Sequence, residues 1–144
     1  MDATPLSIGD QTDAGCTTNC DDQFPSVAYD SVNTRYIVVW MQWDDVTTPV
    51  TSSNIWRNTV TATGTVGTPV KLLDGGTTVF SYPAVVCCDV NNRFSVVYGS
   101  SSIDTADLIQ FQGATYDRTT LAFVANSDPA ATVTSDGAGT VTPV

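Results

Sequence analysis

The chain has 144 residues and a formal net charge of −10; all fifteen of its acidic residues are aspartate, and it contains one lysine and no histidine. A chain this acidic lacks the basic surface that binds nucleic-acid phosphates and anionic lipids. Neither nucleic acid nor a membrane is therefore an expected partner. No apolar run approaches the length of a transmembrane helix.

The residue composition predicts an all-β protein. Threonine, valine and aromatic residues are frequent and fit the pleated surface of a sheet, whereas aspartate, asparagine and glycine are typical of turns. No apolar stripe repeats at the 3.6-residue helical period. We therefore expect a single β domain over residues 1–144.

The first predicted element is a terminal strand at residues 3–9, because TPLSI at 4–8 resembles TPVKL at 68–72. The loop that follows contains Cys16 and Cys20, whose spacing predicts a local disulfide in a secreted chain. Cys87 and Cys88 are neighbours in a predicted strand and should point to opposite faces. They are expected to be small buried hydrophobes, or one of them bridges elsewhere. The four cysteines lack the paired spacing of a zinc site.

Two predicted hairpins carry an internal repeat. PSVAYDSVNTRYIVVW at 25–40 aligns without a gap with PAVVCCDVNNRFSVVY at 83–98, and seven of the sixteen positions are identical at an offset of 58. In each copy a short strand leads through a polar turn into an apolar strand, at 36–40 and 94–98. Such two-sided apolar strands are typical of the interior of a layered structure.

Each hairpin continues into two more predicted strands, the third at 54–60 and 107–113 and the fourth at 68–73 and 121–126. Four strands in a unit of 50 to 60 residues have the dimensions of a β-propeller blade. We predict one blade at 24–73, a second at 82–126 and a half blade at 129–144. A β-sandwich is the alternative fold.

The motif P-x-V-A-Y-D…R-Y-x-V-V-W, followed by I-W-R-x-x-V-x-A-x-G-x-x-G, resembles the tandem propeller repeats of large secreted bacterial proteins. The first copy carries the full motif, whereas the second has Cys87 and Cys88 in place of Tyr and Asp and lacks the Ala-x-Gly turn. The resemblance implies a propeller-type fold and an extracellular or cell-surface location. No signal peptide precedes Asp2, so we interpret Met1 as the start of a trimmed form of a secreted protein.

In a four-stranded meander, the loop between the second and third strands lies at one end of the sheet. The loop that joins the fourth strand to the first strand of the next unit lies at the same end. These loops are rich in aspartate and contain one tryptophan, which together predict a rim for Ca²⁺ or a glycan. The alternative is a solvated acidic surface. The rim residues are Asp21, Asp22, Trp43, Asp44, Asp45, Asp74 and Asp104.

Catalysis is not expected. Histidine and glutamate, the usual general acid–base groups, are absent, and no pair of aspartates stands out from the turns. The four arginines fall on different strands and turns, so a convergent trio for a carboxylate ligand is not expected either. Arg35 and Arg93 recur at one register and are predicted to pair with Asp30 and Asp89.

Two complete blades cannot close a propeller, so the terminal strands are predicted to pair with another copy or with a neighbouring part of a parent chain. The residues assigned to this self-association are Thr4, Leu6, Ile8, Val133 and Val141. The resulting hypothesis is an extracellular structural or adhesive module that forms rings or filaments. The alternative is a carbohydrate-binding or hydrolase-associated propeller that uses the Trp43 rim.

Overall fold

The computed structural model describes residues 7–9, 20–43, 53–76, 78–88, 91–102, 110–127, 134–135 and 141–142. Among them it contains no helix, and therefore none suited to crossing a membrane. The strands are β1 (Asp21–Asp30), β2 (Arg35–Trp43), β3 (Ser53–Thr61), β4 (Val70–Leu73), β5 (Thr78–Cys87), β6 (Arg93–Ser102), β7 (Gln110–Asp117), β8 (Phe123–Ser127), β9 (Thr134–Ser135) and β10 (Val141–Thr142).

The first eight strands form two antiparallel meanders. Sheet I has the order β1-β2-β3-β4 and sheet II has the order β5-β6-β7-β8. The prediction of an all-β chain with four-stranded antiparallel units is confirmed. The β9–β10 ladder pairs Ser135 with Val141 within the predicted C-terminal hairpin. Most of that hairpin lies outside the described residues.

The two sheets repeat the same local geometry at an offset of 58 residues. Val27 pairs with Val38 in sheet I, and Val85 pairs with Val96 in sheet II. The first strand of each sheet contains one irregularity, between Gln23 and Ser26 in β1 and between Ser81 and Ala84 in β5. The aromatic residues at these irregularities, Phe24 and Tyr82, have φ angles of 52° and 50°. The sequence repeat therefore corresponds to a repeat in backbone conformation.

The third strand of the second unit differs from its prediction. It was predicted at 107–113, but β7 continues to Asp117. The reason is the pairing with β6, in which Val96 lies opposite Ala114 and Phe94 opposite Tyr116. Since a partner strand is available along this whole length, the polar sequence that follows Tyr116 sets the end of the strand.

The hydrophobic core lies between the sheets. Sheet I contributes one face of β2 and β3, and sheet II contributes the facing side of β5, β6 and β7. The buried core residues are Ile37, Val39, Ile55, Phe80, Val85, Phe94, Val96, Tyr98, Ala114 and Tyr116. The backbones approach most closely at β5, which contacts β1 most and β2 and β3 less. The sheets therefore converge along their first strands.

A buried hydroxyl joins the two sheets near the start of β3. Ser53 Oγ donates a hydrogen bond to the carbonyl oxygen of Phe80 and accepts one from the Phe80 amide, both at 2.6 Å. Because the same oxygen satisfies both backbone groups of one β5 residue, it fixes the position of β5 against β3.

Candidate functional site

The described residues of the predicted rim lie at one end of the paired sheets, where β1, β3, β5 and β7 begin and β2, β4, β6 and β8 end. Asp21 lies opposite Trp43 in the β1–β2 register, so these two predicted residues are brought together. Asp74 follows β4 and is exposed beside Lys71, with the Nζ and Oδ2 atoms 3.7 Å apart. Asp44, Asp45 and Asp104 lie outside the described residues.

Asp22 has structural partners at the rim. Its Oδ1 accepts hydrogen bonds from Trp40 Nε1 at 3.1 Å and from Gln42 Nε2 at 3.0 Å. Asp21 accepts a bond from Gln23 Nε2 at 2.5 Å. These bonds orient the polar groups of β1 and β2 and occupy carboxylate oxygens that a cation would need. The proposal of a calcium rim therefore gains no support from the described aspartates.

The described part of the predicted terminal strand takes a different position from the expected one. Ser7–Gly9 is not assigned to a strand; Ile8 packs against the cluster formed by Val38, Trp40, Trp56 and Val60. Asn58 Nδ2 donates a 2.6 Å hydrogen bond to the Ile8 carbonyl oxygen. A side-chain amide thus satisfies this backbone group, and the segment crosses the face of sheet I. Thr4, Leu6 and Val133 lie outside the described residues.

Between the sheets, at the end opposite the rim, the structure gathers charges that the sequence did not bring together. Asp30 is fully buried and forms ion pairs with Arg35, at 3.4 Å, and with Arg118, at 3.8 Å. The predicted pairing of Arg35 with Asp30 is confirmed. Arg35 also donates from Nη2 to the Arg118 carbonyl oxygen. Asp89 lies outside the described residues, so the second predicted pair stays a prediction.

Arg57 belongs to the same charged group. It is nearly buried, and burial together with the charge of Arg35 lowers its pKa. Burial and the neighbouring Tyr98 raise the pKa of Tyr116 to about 12, and Arg57 partly offsets the rise. Two of the four arginines, Arg35 and Arg118, converge on the Asp30 carboxylate, although the sequence indicated no such convergence. Their meeting depends on the stacking of two sheets, for which one-dimensional spacing gives no signal.

The Asp30 carboxylate is held by hydrogen bonds as well as by charge. Its Oδ1 accepts from the amides of Val32 and Asn33, each at 3.2 Å, and its Oδ2 accepts from Asn33 Nδ2 at 2.7 Å. Burial alone would raise the pKa of Asp30, but these bonds and the charges of Arg118 and Arg35 outweigh it and lower the pKa below its ordinary value. Asp30 is therefore an internal counter-ion for Arg35 and Arg118.

The cysteines differ from their predictions in one respect. The sulfur atoms of Cys87 and Cys88 lie in close contact, so these two side chains do not point to opposite faces. β5 ends at Cys87, so the alternation of side chains along a strand does not extend to Cys88. Cys20 is disulfide-bonded. Its predicted partner, Cys16, lies outside the described residues.

A three-residue group of metal-ligand type includes the same pair. One oxygen of Asp30 and the sulfur atoms of Cys87 and Cys88 lie within 4.8 Å of one another, and no other such group occurs in the described ranges. The Asp30 carboxylate already faces two guanidinium groups, those of Arg35 and Arg118. The chemistry of this group does not favour a cation.

Two apolar sheet faces point away from the intersheet core. The Val97 face, on sheet II, consists of Ala84, Val86, Val97 and Phe111, and all four are exposed. The Trp40 face, on sheet I, consists of Val27, Tyr29, Tyr36, Val38, Trp40 and Trp56. On the Trp40 face Val38, Trp40 and Trp56 are buried, whereas Val27, Tyr29 and Tyr36 are exposed. These two faces are the candidate interaction surfaces of the molecule.

Comparison of the chain with protein-family models, with curated proteins and with solved structures finds no significant match.

Proposed function

We propose that this chain is a propeller-type module of an extracellular protein, which acts structurally by self-assembly through its uncovered sheet surfaces. One observation carries the proposal: the surface that sheet I buries against sheet II recurs at the same register on sheet II, where it is exposed. Val39 is fully buried, whereas Val97, its equivalent 58 residues later, is 43% exposed. A contiguous apolar surface on a folded domain is typical of an interaction site.

The direction in which the sheets converge favours blades over a β-sandwich. In a propeller, adjacent blades approach most closely at their first strands, and β1 and β5 are the strands of closest approach here. Phe24 and Tyr82, which occupy equivalent positions in the two sheets, stack on each other with ring centroids 4.5 Å apart. Equivalent residues thus meet along the converging edge, as in a succession of blades.

Charge and apolar surface have opposite effects on association. The net charge of −10 repels a second copy, whereas burial of the Val97 face would stabilise a contact. Salt screens the repulsion and leaves the apolar term in place. Association is therefore expected to increase with both protein and salt concentration.

The test is sedimentation velocity combined with negative-stain microscopy over a range of protein concentrations, at low and at high sodium chloride. We expect species larger than the 15.2 kDa chain, and a larger fraction of them at high salt. A single species of monomer mass under every condition would contradict self-assembly. Deletion of residues 2–6 is the control for strand pairing at the N-terminus: if assembly follows the sheet faces, this deletion leaves it in place.

A further inference from the structure

The packing between the two sheets is asymmetric. Sheet I contributes the side that carries Val39, whereas sheet II contributes the side that carries Phe94 and Val96. By the repeat, Phe94 is equivalent to Tyr36, which lies on the other side of sheet I. Each sheet therefore has two chemically different sides. The first kind carries Val39 or its equivalent Val97, and the second kind carries Phe94 or its equivalent Tyr36. Within the chain, the first kind of side of sheet I packs on the second kind of side of sheet II.

The Val97 face is a second, uncovered copy of the first kind of side. Val97 is equivalent to Val39. Phe111 pairs with Gly99, and Ile55 pairs with Met41. Since Met41 and Gly99 are 58 positions apart, Phe111 is equivalent to Ile55. Ile55 is fully buried and Phe111 is 44% exposed. The position is apolar in both sheets, but within the described part of the chain only sheet I has another sheet packed on this side.

The Trp40 face is the second copy of the second kind of side, and its part formed by Val27, Tyr29 and Tyr36 is exposed. Phe94 is 1% exposed against sheet I, whereas its equivalent Tyr36 is 43% exposed. Val85 is buried and its equivalent Val27 is exposed. Tyr29 and Tyr36 form a ring pair with centroids 5.0 Å apart on this face. The chain thus leaves exposed the Val97 face and the part of the Trp40 face formed by Val27, Tyr29 and Tyr36, which are equivalent to surfaces that it already packs together internally.

From this arrangement we propose that the Val97 face of one copy packs on the Trp40 face of a second copy, head to tail, with the geometry of the sheet I–sheet II contact. The inference rests on the proposed self-assembly and names its partner and its two surfaces. Tyr82, which is exposed on the side away from Phe24, would stack on Phe24 of the next copy and continue the aromatic contact. Because the two surfaces differ, each added copy leaves both kinds exposed, and the assembly grows into a ring or a filament.

The segment Ser7–Gly9 already covers part of the Trp40 face. Ile8 packs against Val38 and Trp40 on the Trp40 face. In the sequence it aligns with Leu72, which packs at the edge of the core between the sheets. Ile8 therefore covers one edge of the Trp40 face, and a second copy would pack on the exposed part of that face, which contains Val27, Tyr29 and Tyr36.

A second copy suits the Val97 face better than the C-terminal residues of the same chain. Residues 129–144 contain no aromatic residue, whereas sheet II presents Phe94, Tyr98 and Tyr116 to sheet I. The Trp40 face of a second copy supplies Tyr29 and Tyr36 instead. The contact would lack two internal features, because Ala84 replaces Ser26, which accepts a hydrogen bond from the Val85 amide, and Cys88 replaces Asp30. It is therefore expected to be reversible.

The test uses two full-length variants, Val97→Asp on one face and Tyr36→Asp on the other. Each places a charge in the proposed contact at a position that is exposed in the single chain, and circular dichroism checks that each variant folds. We expect each variant alone to sediment as a monomer. An equimolar mixture should form dimers and nothing larger, since the intact Val97 face of one variant can pack on the intact Trp40 face of the other. Phe111→Asp and Val27→Asp provide a second pair should either variant fail to fold.

The outcomes separate this inference from the proposed function. If wild type assembles and either folded variant assembles equally well, or if the mixture stays monomeric, the head-to-tail contact is wrong and self-assembly stands. If wild type is monomeric under all conditions, self-assembly itself is wrong. If assembly appears only after Val133→Asp or Val141→Asp, the C-terminal residues cover the Val97 face and a second copy is not its natural occupant.

Discussion

Replacement of Asp30 by alanine is expected to lower the free energy of unfolding by ~3–5 kcal/mol, because it leaves buried charges without their counter-ion. Asp30 is fully buried and pairs with Arg35 and Arg118. The alanine also removes the acceptor for the amides of Val32 and Asn33 in the β1–β2 turn. Urea denaturation followed by tryptophan fluorescence measures the effect.

The matched control is Asp74→Ala. Asp74 is exposed and has a single ion pair with Lys71, so its loss is expected to change stability by less than about 1 kcal/mol. An equally small change in the free energy of unfolding for Asp30→Ala would contradict the role of Asp30 as a buried counter-ion.

The same carboxylate gives stability a pH dependence. Because the pKa of Asp30 is lower in the folded chain than its ordinary value of 3.8, its contribution is present above that value. The contribution is lost as the pH falls through the folded pKa, so wild type should lose more stability on acidification than Asp30→Ala.

Replacement of Phe94 by alanine is expected to cost ~3–5 kcal/mol, which is the range for a large aromatic side chain removed from a packed core. Phe94 is 1% exposed and stacks on Tyr116 with ring centroids 5.1 Å apart. It lies in the centre of the contact between the sheets, where its removal leaves a cavity that the backbones of β6 and β7 cannot close.

Tyr36→Ala is the comparison that the repeat itself provides. Tyr36 is the equivalent of Phe94 but is exposed, with Tyr29 as its aromatic partner. Its loss should cost about 1 kcal/mol in the monomer. Thermal and urea unfolding at a concentration where the protein is monomeric measure both variants. Equal losses of unfolding free energy for Phe94→Ala and Tyr36→Ala would contradict the finding that the other sheet covers Phe94 but leaves Tyr36 exposed.

Much of the fold follows from the sequence because the repeat is local. The two hairpins, the polar turns between their strands and the apolar second strands depend on residues close together in the chain. The gap-free alignment also fixed the register, so that Val38 and Val96 occupy the same place in their sheets. Local pattern alone, however, does not determine which side of a strand meets the neighbouring sheet.

The features that sequence reasoning missed depend on contacts between distant segments. Arg118 reaches Asp30 only because sheet II stacks on sheet I, although 88 residues separate them in the sequence. Ser7–Gly9 was predicted to continue a sheet edge, but the carboxamide of Asn58 holds it across a sheet face. The continuation of β7 beyond residue 113 likewise depends on its pairing with β6.

A double-mutant cycle between Asp30 in β1 and Arg118 after β7 tests the face-to-face stacking of the two sheets most directly. The Asp30 Oδ1 and Arg118 Nε atoms lie 3.8 Å apart, and they belong to different sheets. From urea denaturation of wild type, Asp30→Ala, Arg118→Ala and the double variant, we expect a coupling free energy of at least about 1 kcal/mol. Strictly additive single effects would contradict the stacked arrangement on which both uncovered faces depend.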